Sequence, residues 1–318
     1  MKYDFSTNYE INKMLNSVVD NITNLAEEQL LHIKRLTRIG ESLSSESDLD
    51  KIFDMILEEG ISFTKADAAT IYKVNDEATK LEFEIVYNAT LNLLKGGTQG
   101  PINWKAIDLY NEDGTPVNDK IVTNVFHNKR SLCFDDVYEA KGYDVSGTIK
   151  TDQENDYRCK SMLTIPLKNH EDRVLGVIQF INAMDENSNI ISFTEEHKAM
   201  LSSLASQAAI ALSNKKLIED LEELLNQFIR SIAGAIERKS KYSSNHITRV
   251  ALLTEMIANK INDIGEKYFP ERKFSENELK ELSMAGWMHD VGKIVTPEAI
   301  MDKSTKLETI CDRIELVK

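Results

Sequence analysis

The sequence predicts an α+β domain, an antiparallel sheet with flanking helices, that leads through one long helix into an all-α region. Three observations predict it. The apolar period drops to two at residues 68–89 and again at 162–183. From Thr194 a helical pattern runs for roughly forty residues without Pro or Gly until Gly234, too long for the inside of a small domain. Beyond it, at 243–258 and 275–300, apolar residues recur only at helical spacing. The length, 318 residues, suits two ordinary domains. Hydrophobic residues make up 42% and charged residues 28%, a globular composition. Lys plus Arg is 38 against 52 Asp plus Glu, a net charge of −14. That balance excludes a general nucleic-acid binder and a binder of anionic membrane surfaces.

Residues 1–44 read as an N-terminal helix. Ile11, Leu15, Val18, Ile22 and Leu25 are spaced 4, 3, 4, 3, as in a coiled-coil seam. Gln29 and His32 interrupt it, and Ile33, Leu36, Ile39 and Leu43 carry a second stripe towards Ser44. The pattern fits a helix packed on its own domain and a parallel contact between two copies equally well. A homodimer through helices is the expectation carried forward. Ser47 or Asp48 can cap the next helix, whose apolar face is Leu49, Ile52, Phe53, Ile56 and Leu57. Residues 68–75 and 80–89 read as two strands joined by a polar turn at Asp76 and Glu77. Leu81, Phe83, Ile85 and Tyr87 alternate with Glu82, Glu84 and Val86, which predicts one covered face.

Residues 90–160 are broken repeatedly, by Gly96, Gly97, Gly100, Pro101, Gly114, Pro116, Gly142 and Gly147. Only a short helix near 118–128 and a strand at 132–137 emerge. So long an irregular stretch is expected to carry function or to move. Two β-branched strands follow, 162–168 and 173–183, around the turn at 169–172. Thr194 then caps the long helix, with Glu195 and Glu196 at its positive end. Its apolar residues are Leu201, Leu204, Ala208 and Ala211, then Leu217, Leu221, Leu224, Phe228, Ile232 and Ile236. The organisation expected is a helix at 1–44, a sheet domain at 45–215, a connector at 216–238 and a helical domain at 239–318. Cys133, Cys159 and Cys311 form no CxxC pair, and ordinary semi-buried thiols in a reducing cytoplasm are expected. The N-terminal residues carry no apolar signal-peptide core. No run of about 18 apolar residues occurs, so no membrane span is expected.

Residues 161–168, 173–183 and 193–217 resemble a GAF domain. The resemblance extends over about residues 30–215 and is closest in the last sixty or so. It implies a small-molecule sensor and dimerisation module attached to a signalling output, with a ligand pocket between the sheet and the 90–160 excursion. The run Ile181-Asn182-Ala183-Met184-Asp185-Glu186 is similar to the Asn-Lys-Phe-Asp-Glu motif of GAF domains that bind cyclic nucleotides. It keeps Asn182, Asp185 and Glu186. Ala183 and Met184 replace the motif's Lys and Phe, which removes the Lys ion pair. A bound small molecule and a domain that only packs are both open readings, and the GAF ligand is unknown.

Two segments carry the chemistry of the helical region. His246, Val250, Leu253 and Ile257 are spaced 4, 3, 4, which places His246 on the apolar face of a helix. Ser275 and Glu278 form a capping box for the next helix, where Leu279, Leu282, Gly286 and His289 share a face. Asp290 follows at the helix end, Gly292 lets the chain leave it, and Pro297 opens another helix. A single inward histidine is usually a core residue with one hydrogen bond. Two on separate helices, one followed directly by Asp, make a donor set for a divalent transition metal such as iron or manganese. Such an ion also supplies the positive charge that a buried Asp290 needs. On this chemistry a metal site at His246, His289 and Asp290 is favoured, and ordinary core packing of the two histidines stays an open reading.

The pattern H-x-x-R-V from His246, with H-D-V-G-K-I-x-T-P-x-x-I-x-x-K from His289, resembles the HD phosphohydrolase superfamily, and most of all its HD-GYP branch. The resemblance implies that His246 and His289 bind metal and that Asp290 bridges two ions. It implies that Lys293 steadies the phosphate. Asp290 and Lys293 are then the candidate catalytic residues of a two-metal hydrolysis, with the second messenger cyclic di-GMP as candidate substrate. Lys303-Ser304 stands where the branch has Lys-Pro. The branch places further His ligands, a closing Asp and its Gly-Tyr-Pro motif at positions beyond Lys318, and residues 306–318 read as the start of a helix cut short. Three donors do not fill two metal sites, so this chain is expected to be inactive or very weak as a hydrolase. The alternative is a non-enzymatic module, in which the GAF domain senses a ligand and the helical region transmits or dimerises.

Overall fold

The structure, a computed structural model, describes residues 8–46, 48–239, 246–268, 272–297 and 300. Ser47, Lys303, Ser304, Cys311 and the stretch 306–318, all of which carry expectations above, lie outside the described residues. The chain divides into two compact units, Met1–Lys216 and Leu217–Lys318.

The first unit opens with helix α1 (Tyr9–Ser45), capped by Asn8, whose side chain accepts from Glu10 N at 3.0 Å. Only the end of α1 reaches the core, through Ile39 and Leu43, while Ile11, Leu15, Val18, Ile22 and Leu25 are exposed. Helix α2 (Leu49–Thr64) starts on Asp48, whose carboxylate accepts from Asp50 N, and it buries Ile52, Phe53, Ile56 and Leu57. A seven-stranded sheet follows, entirely antiparallel. Its strands are β1 (Ala68–Val74), β2 (Lys80–Asn88), β3 (Leu93–Gly96), β4 (Ile107–Asp108), β5 (Leu132–Phe134), β6 (Met162–Lys168) and β7 (Val174–Ile181). The order is β3-β2-β1-β7-β6-β5, with β4 on the far end of β2. A small hairpin, β8 (Ala183–Met184) with β9 (Ile190–Ile191), leads into helix α5 (Glu195–Lys239). Thr194 caps α5 by accepting from His197 N at 3.1 Å.

One face of the sheet, with Ile71, Ile85, Leu163, Ile165, Leu167, Ile178 and Phe180, packs on α2, the end of α1 and the start of α5. From α5 it receives Leu201, Leu204, Ala208 and Ala211, the stripe expected. The approach is close enough that any side chain at Gly60 would run into the ring of Phe180. The other face lies under helix α3 (Ile121–Asn128), with Tyr72, Leu81, Leu109, Val122, Val125 and Val177.

Two expectations for this unit are corrected. Leu81, Phe83, Ile85 and Tyr87 do not share a face. The register slips between Ile71 and Tyr72, so that Ile71 pairs with Ile85 but Tyr72 with Phe83. That bulge leaves Glu84 over and flips the strand. Leu81 and Phe83 join the α3 side, Ile85 and Tyr87 the helix side. The stretch 90–160 is also more regular than its glycines imply. Besides α3 and β5 it holds β3, β4 and helix α4 (Ser146–Asn155). Helix α4 has no apolar stripe to read, because the residue it buries is Asp152.

In the second unit, Ala233 and Ile236 of α5 pack with Ile247 of helix α6 (His246–Tyr268) and with Trp287 of helix α7 (Glu276–Met288). Helices α6 and α7 touch at Ala251 and Gly286, where a Cβ on the glycine would lie 2.9 Å from Ala251 Cα. The buried row of α6 is thus Ile247, Ala251 and Ala258. The row expected, with Leu253 and Ile257, is exposed among the described residues. Backbones approach closely where small residues face each other, and the larger side chains are turned one position aside.

Candidate metal centre

Helix α7 is anchored at both ends. At its start Ser275 Oγ accepts from Glu278 N at 3.3 Å, and Glu278 Oε2 accepts from Ser275 N at 2.8 Å, the capping box expected. Asn262 of α6 clamps the same end, bonding both the N–H and the carbonyl of Phe274 at 2.8 Å. At its end the helix runs through His289, φ −56°, straight into a 3₁₀ turn at Val291–Val295. Gly292, expected to let the chain leave the helix, lies inside that turn and shows no positive φ. The tight turn has a consequence for the site. Side chains at i and i+3 eclipse in 3₁₀ geometry, and Lys293 N donates to Asp290 O at 2.9 Å. Lys293 Nζ accordingly meets Asp290 Oδ2 at 2.5 Å.

Helix α6 brings the remaining donor. Its first turn is pinned by Glu237, whose Oε1 accepts from Ile247 N at 2.7 Å. His246 heads that turn, and its Nε2 lies 3.4 Å from His289 Nε2 and 3.9 Å from Asp290 Oδ2. His289 Nε2 lies 3.4 Å from the same oxygen. His246, His289 and Asp290 thus place one ligand atom each within 4.8 Å of one another. The three side chains retain 46%, 32% and 15% of their exposure, so Asp290 sits deepest and the imidazoles form the open rim.

The tautomer of His289 follows from its other nitrogen. Nδ1 lies 2.7 Å from the carbonyl of Gly286. A carbonyl only accepts, so Nδ1 carries the proton and Nε2 of the neutral ring keeps its lone pair. That lone pair faces a second imidazole nitrogen and a carboxylate oxygen, a set that wants a shared cation. The spacing suits one. Four ligands at about 2.0–2.1 Å from a tetrahedral ion stand about 3.3 Å apart, close to two of the three edges here, at 3.4 Å, and shorter than the third, at 3.9 Å. Two imidazoles and a carboxylate are also the donor chemistry such ions take. The residues present therefore fit a divalent transition ion. The carbonyl of Gly286 and the carboxylate of Glu237 are not recognisable from the sequence as parts of the site. Glycine at the position three before His289 is the one local signal.

In the first unit the motif residues do structural work. Asn182, at φ 57°, accepts from Lys160 N at 2.8 Å and donates to Arg158 O at 2.8 Å and Tyr157 Oη at 3.0 Å, tying β7 to the loop after α4. Asp185 spends both oxygens on the β8–β9 turn, accepting from Asn187 N, Asn189 N and Asn189 Nδ2. Ala183 is fully buried and Glu186 is exposed. On the α3 face of the sheet Gln179 Nε2 donates to Thr164 Oγ1 at 3.2 Å. Burial, and then the charge of Asp152, push the Cys159 thiol far above the ordinary cysteine range. Cys133 is raised by burial as well. Neither has the lowered pKa of a reactive thiol.

No helix among the described residues is long and apolar enough to cross a membrane. The GAF domain family profile matches residues 48–212 and the HD domain profile residues 244–316. A 3'3'-cGAMP-specific phosphodiesterase 2 of Vibrio cholerae is 29% identical over 99 residues. That match covers 31% of this chain and 17% of the relative. Among solved structures, the GAF domain of an Acinetobacter phosphoenolpyruvate-protein phosphotransferase is similar at 13% identity and a TM-score of 0.43, over 60% of this chain and 98% of that one. A GAF domain/HD domain protein from Geobacter sulfurreducens is similar at 14% identity and a TM-score of 0.38, over 55% and 98%. The chain belongs to the GAF domain family, and its GAF domain is followed by an HD domain.

Proposed function

We propose that this is a signalling protein in which a GAF sensor, residues 45–215, regulates a metal-dependent phosphohydrolase of HD type, residues 239–318, through the connector at 216–238. The substrate class proposed is a cyclic dinucleotide second messenger. The observation that carries this reading is the convergence of His246, His289 and Asp290, with Lys293 alongside. The HD match supports it, because that family depends on divalent metal ions, and so does the likeness to a protein named for 3'3'-cGAMP hydrolysis. The substrate, the ion and the regulation belong to the proposal.

His246, His289 and Asp290 would hold the ion. Bound there, a divalent ion supplies a water of lowered pKa and a Lewis acid for a phosphoryl oxygen. The chain's own residues do the rest. The Gly286 carbonyl holds His289 in the tautomer that offers Nε2. Asp290, tucked below the two rings, gives the site its negative charge. Lys293, half-exposed beside it, offsets charge on the phosphate as it develops in the transition state. On the sensor side a small molecule would bind under α3 and bias the output domain by favouring one of its states. The protein is proposed to act in the cytoplasm as a homodimer.

The test is hydrolysis of cyclic di-GMP and 3'3'-cGAMP by the protein expressed from its complete reading frame, with Mn²⁺ present. Linear dinucleotide is expected, and Asp290→Asn should lower its rate at least a hundredfold. Ion binding with no turnover of any cyclic dinucleotide would remove the substrate assignment.

A further inference from the structure

Asp290 Oδ2 is approached from three directions: by His289 Nε2 at 3.4 Å, by His246 Nε2 at 3.9 Å and by Lys293 Nζ at 2.5 Å. Two of these groups are imidazole nitrogens, donors suited to a metal. The third is a cation already in contact with the oxygen that such a metal would use. A transition ion bonded to that oxygen sits about 2.1 Å from it. With the ammonium kept at 2.5 Å, the two cations would be less than about 5 Å apart. They would share a carboxylate that keeps 15% of its exposure. Repulsion between them favours a state in which one of the two yields.

Lys293 is the group able to do so. Its side chain keeps 37% exposure, so solvent lies along its way out, whereas Asp290 is held by the end of α7 and the 3₁₀ turn. We infer that Lys293 is a built-in competitor for the metal ion. Its ammonium neutralises Asp290 until an ion arrives, and the arriving ion drives it to the rim of the site. There a freed ammonium faces whatever anion the ion binds. This inference rests on the reading of the three donors as a metal site. It adds that metal loading and the release of Lys293 are one event.

The test uses the whole chain, titrated with Co²⁺ by calorimetry, and thermal unfolding with and without the ion. The variants are Lys293→Met, Lys293→Arg and, as a control for net charge, Lys280→Met, which removes a cation paired with Glu222 on the far part of α7. Lys293→Met should bind the ion about tenfold more tightly than the wild type, and Lys293→Arg and Lys280→Met should not. Without the ion, Lys293→Met should unfold at a lower temperature, because Asp290 loses its counter-charge. Saturating ion should abolish that difference. Equal ion affinity in Lys293→Met and wild type overturns the inference. So does a loss of stability that is the same with and without the ion, since the ion pair would then persist in both states. Tighter binding with no change in ion-free stability overturns it too, since Lys293 would then only repel the ion from nearby. Absence of Co²⁺ binding in every protein instead overturns the metal reading on which the inference stands.

Discussion

Gly286 does two jobs with one backbone position. Its missing side chain lets α7 come to within van der Waals reach of Ala251, and its carbonyl accepts a hydrogen bond from His289 Nδ1. The first job sets the distance between the helices that carry His246 and His289. The second sets which nitrogen of His289 faces the site. Gly286→Val should therefore cost about 2 kcal/mol of stability by overpacking against α6, and it should weaken ion binding as well. Ala285→Val, at an exposed position on the same helix, should do neither. Urea denaturation and ion titration of the two variants check this. At this scale the site was half legible. His246, His289 and Asp290 stand out because two histidines on separate helices, one followed directly by Asp, are less easily ascribed to packing than a single one. Glu237 was invisible, because it pins α6 from nine positions upstream of the helix start, beyond any local capping rule.

Elements were readable where their residues had only one job. Strands β6 and β7 are β-branched and buried on both faces, and their ends are found nearly where the pattern puts them. Helix α4 escaped because its packing is polar: Asp152 accepts from Tyr138 Oη at 2.8 Å and Cys159 N at 2.7 Å. Strand β2 misled because a bulge at Glu84 breaks an alternation that reads unbroken in the residues. Helix α6 carries two adjacent apolar rows, and the row with the alanines won because small side chains permit the close approach to Gly286. Helix α1 retains the most ambiguous pattern. Its seam of Ile11, Leu15, Val18, Ile22 and Leu25 is exposed, while Ile39 and Leu43 serve the core. Should the seam join two copies, Leu15→Lys combined with Ile22→Lys turns a dimer into a monomer in sedimentation experiments and leaves thermal unfolding of the sheet domain in place. An unchanged sedimentation coefficient at matched concentration would assign that seam no role in assembly.

Taken whole, the molecule is a GAF domain with an HD domain after it, each with its own core. The order of classes, sheet domain first and helices after, was legible because the period of the apolar residues changes twice along the chain. A convergence of the residues singled out is found in the second unit and not in the first. Residues of the first unit that match a cyclic-nucleotide motif are spent on turns, Asn182 on the loop after α4 and Asp185 on the β8–β9 hairpin. In the second unit, by contrast, the polar residues singled out converge on one point. The account stands on that convergence being a binding site for a divalent ion. A titration of the protein with Co²⁺, followed by its visible absorption, tests it most directly. The wild type should bind with an absorption typical of imidazole and carboxylate ligation, and His246→Ala, His289→Ala and Asp290→Asn should each weaken binding at least tenfold. Binding that is the same in all four proteins, or absent from the wild type, would contradict it.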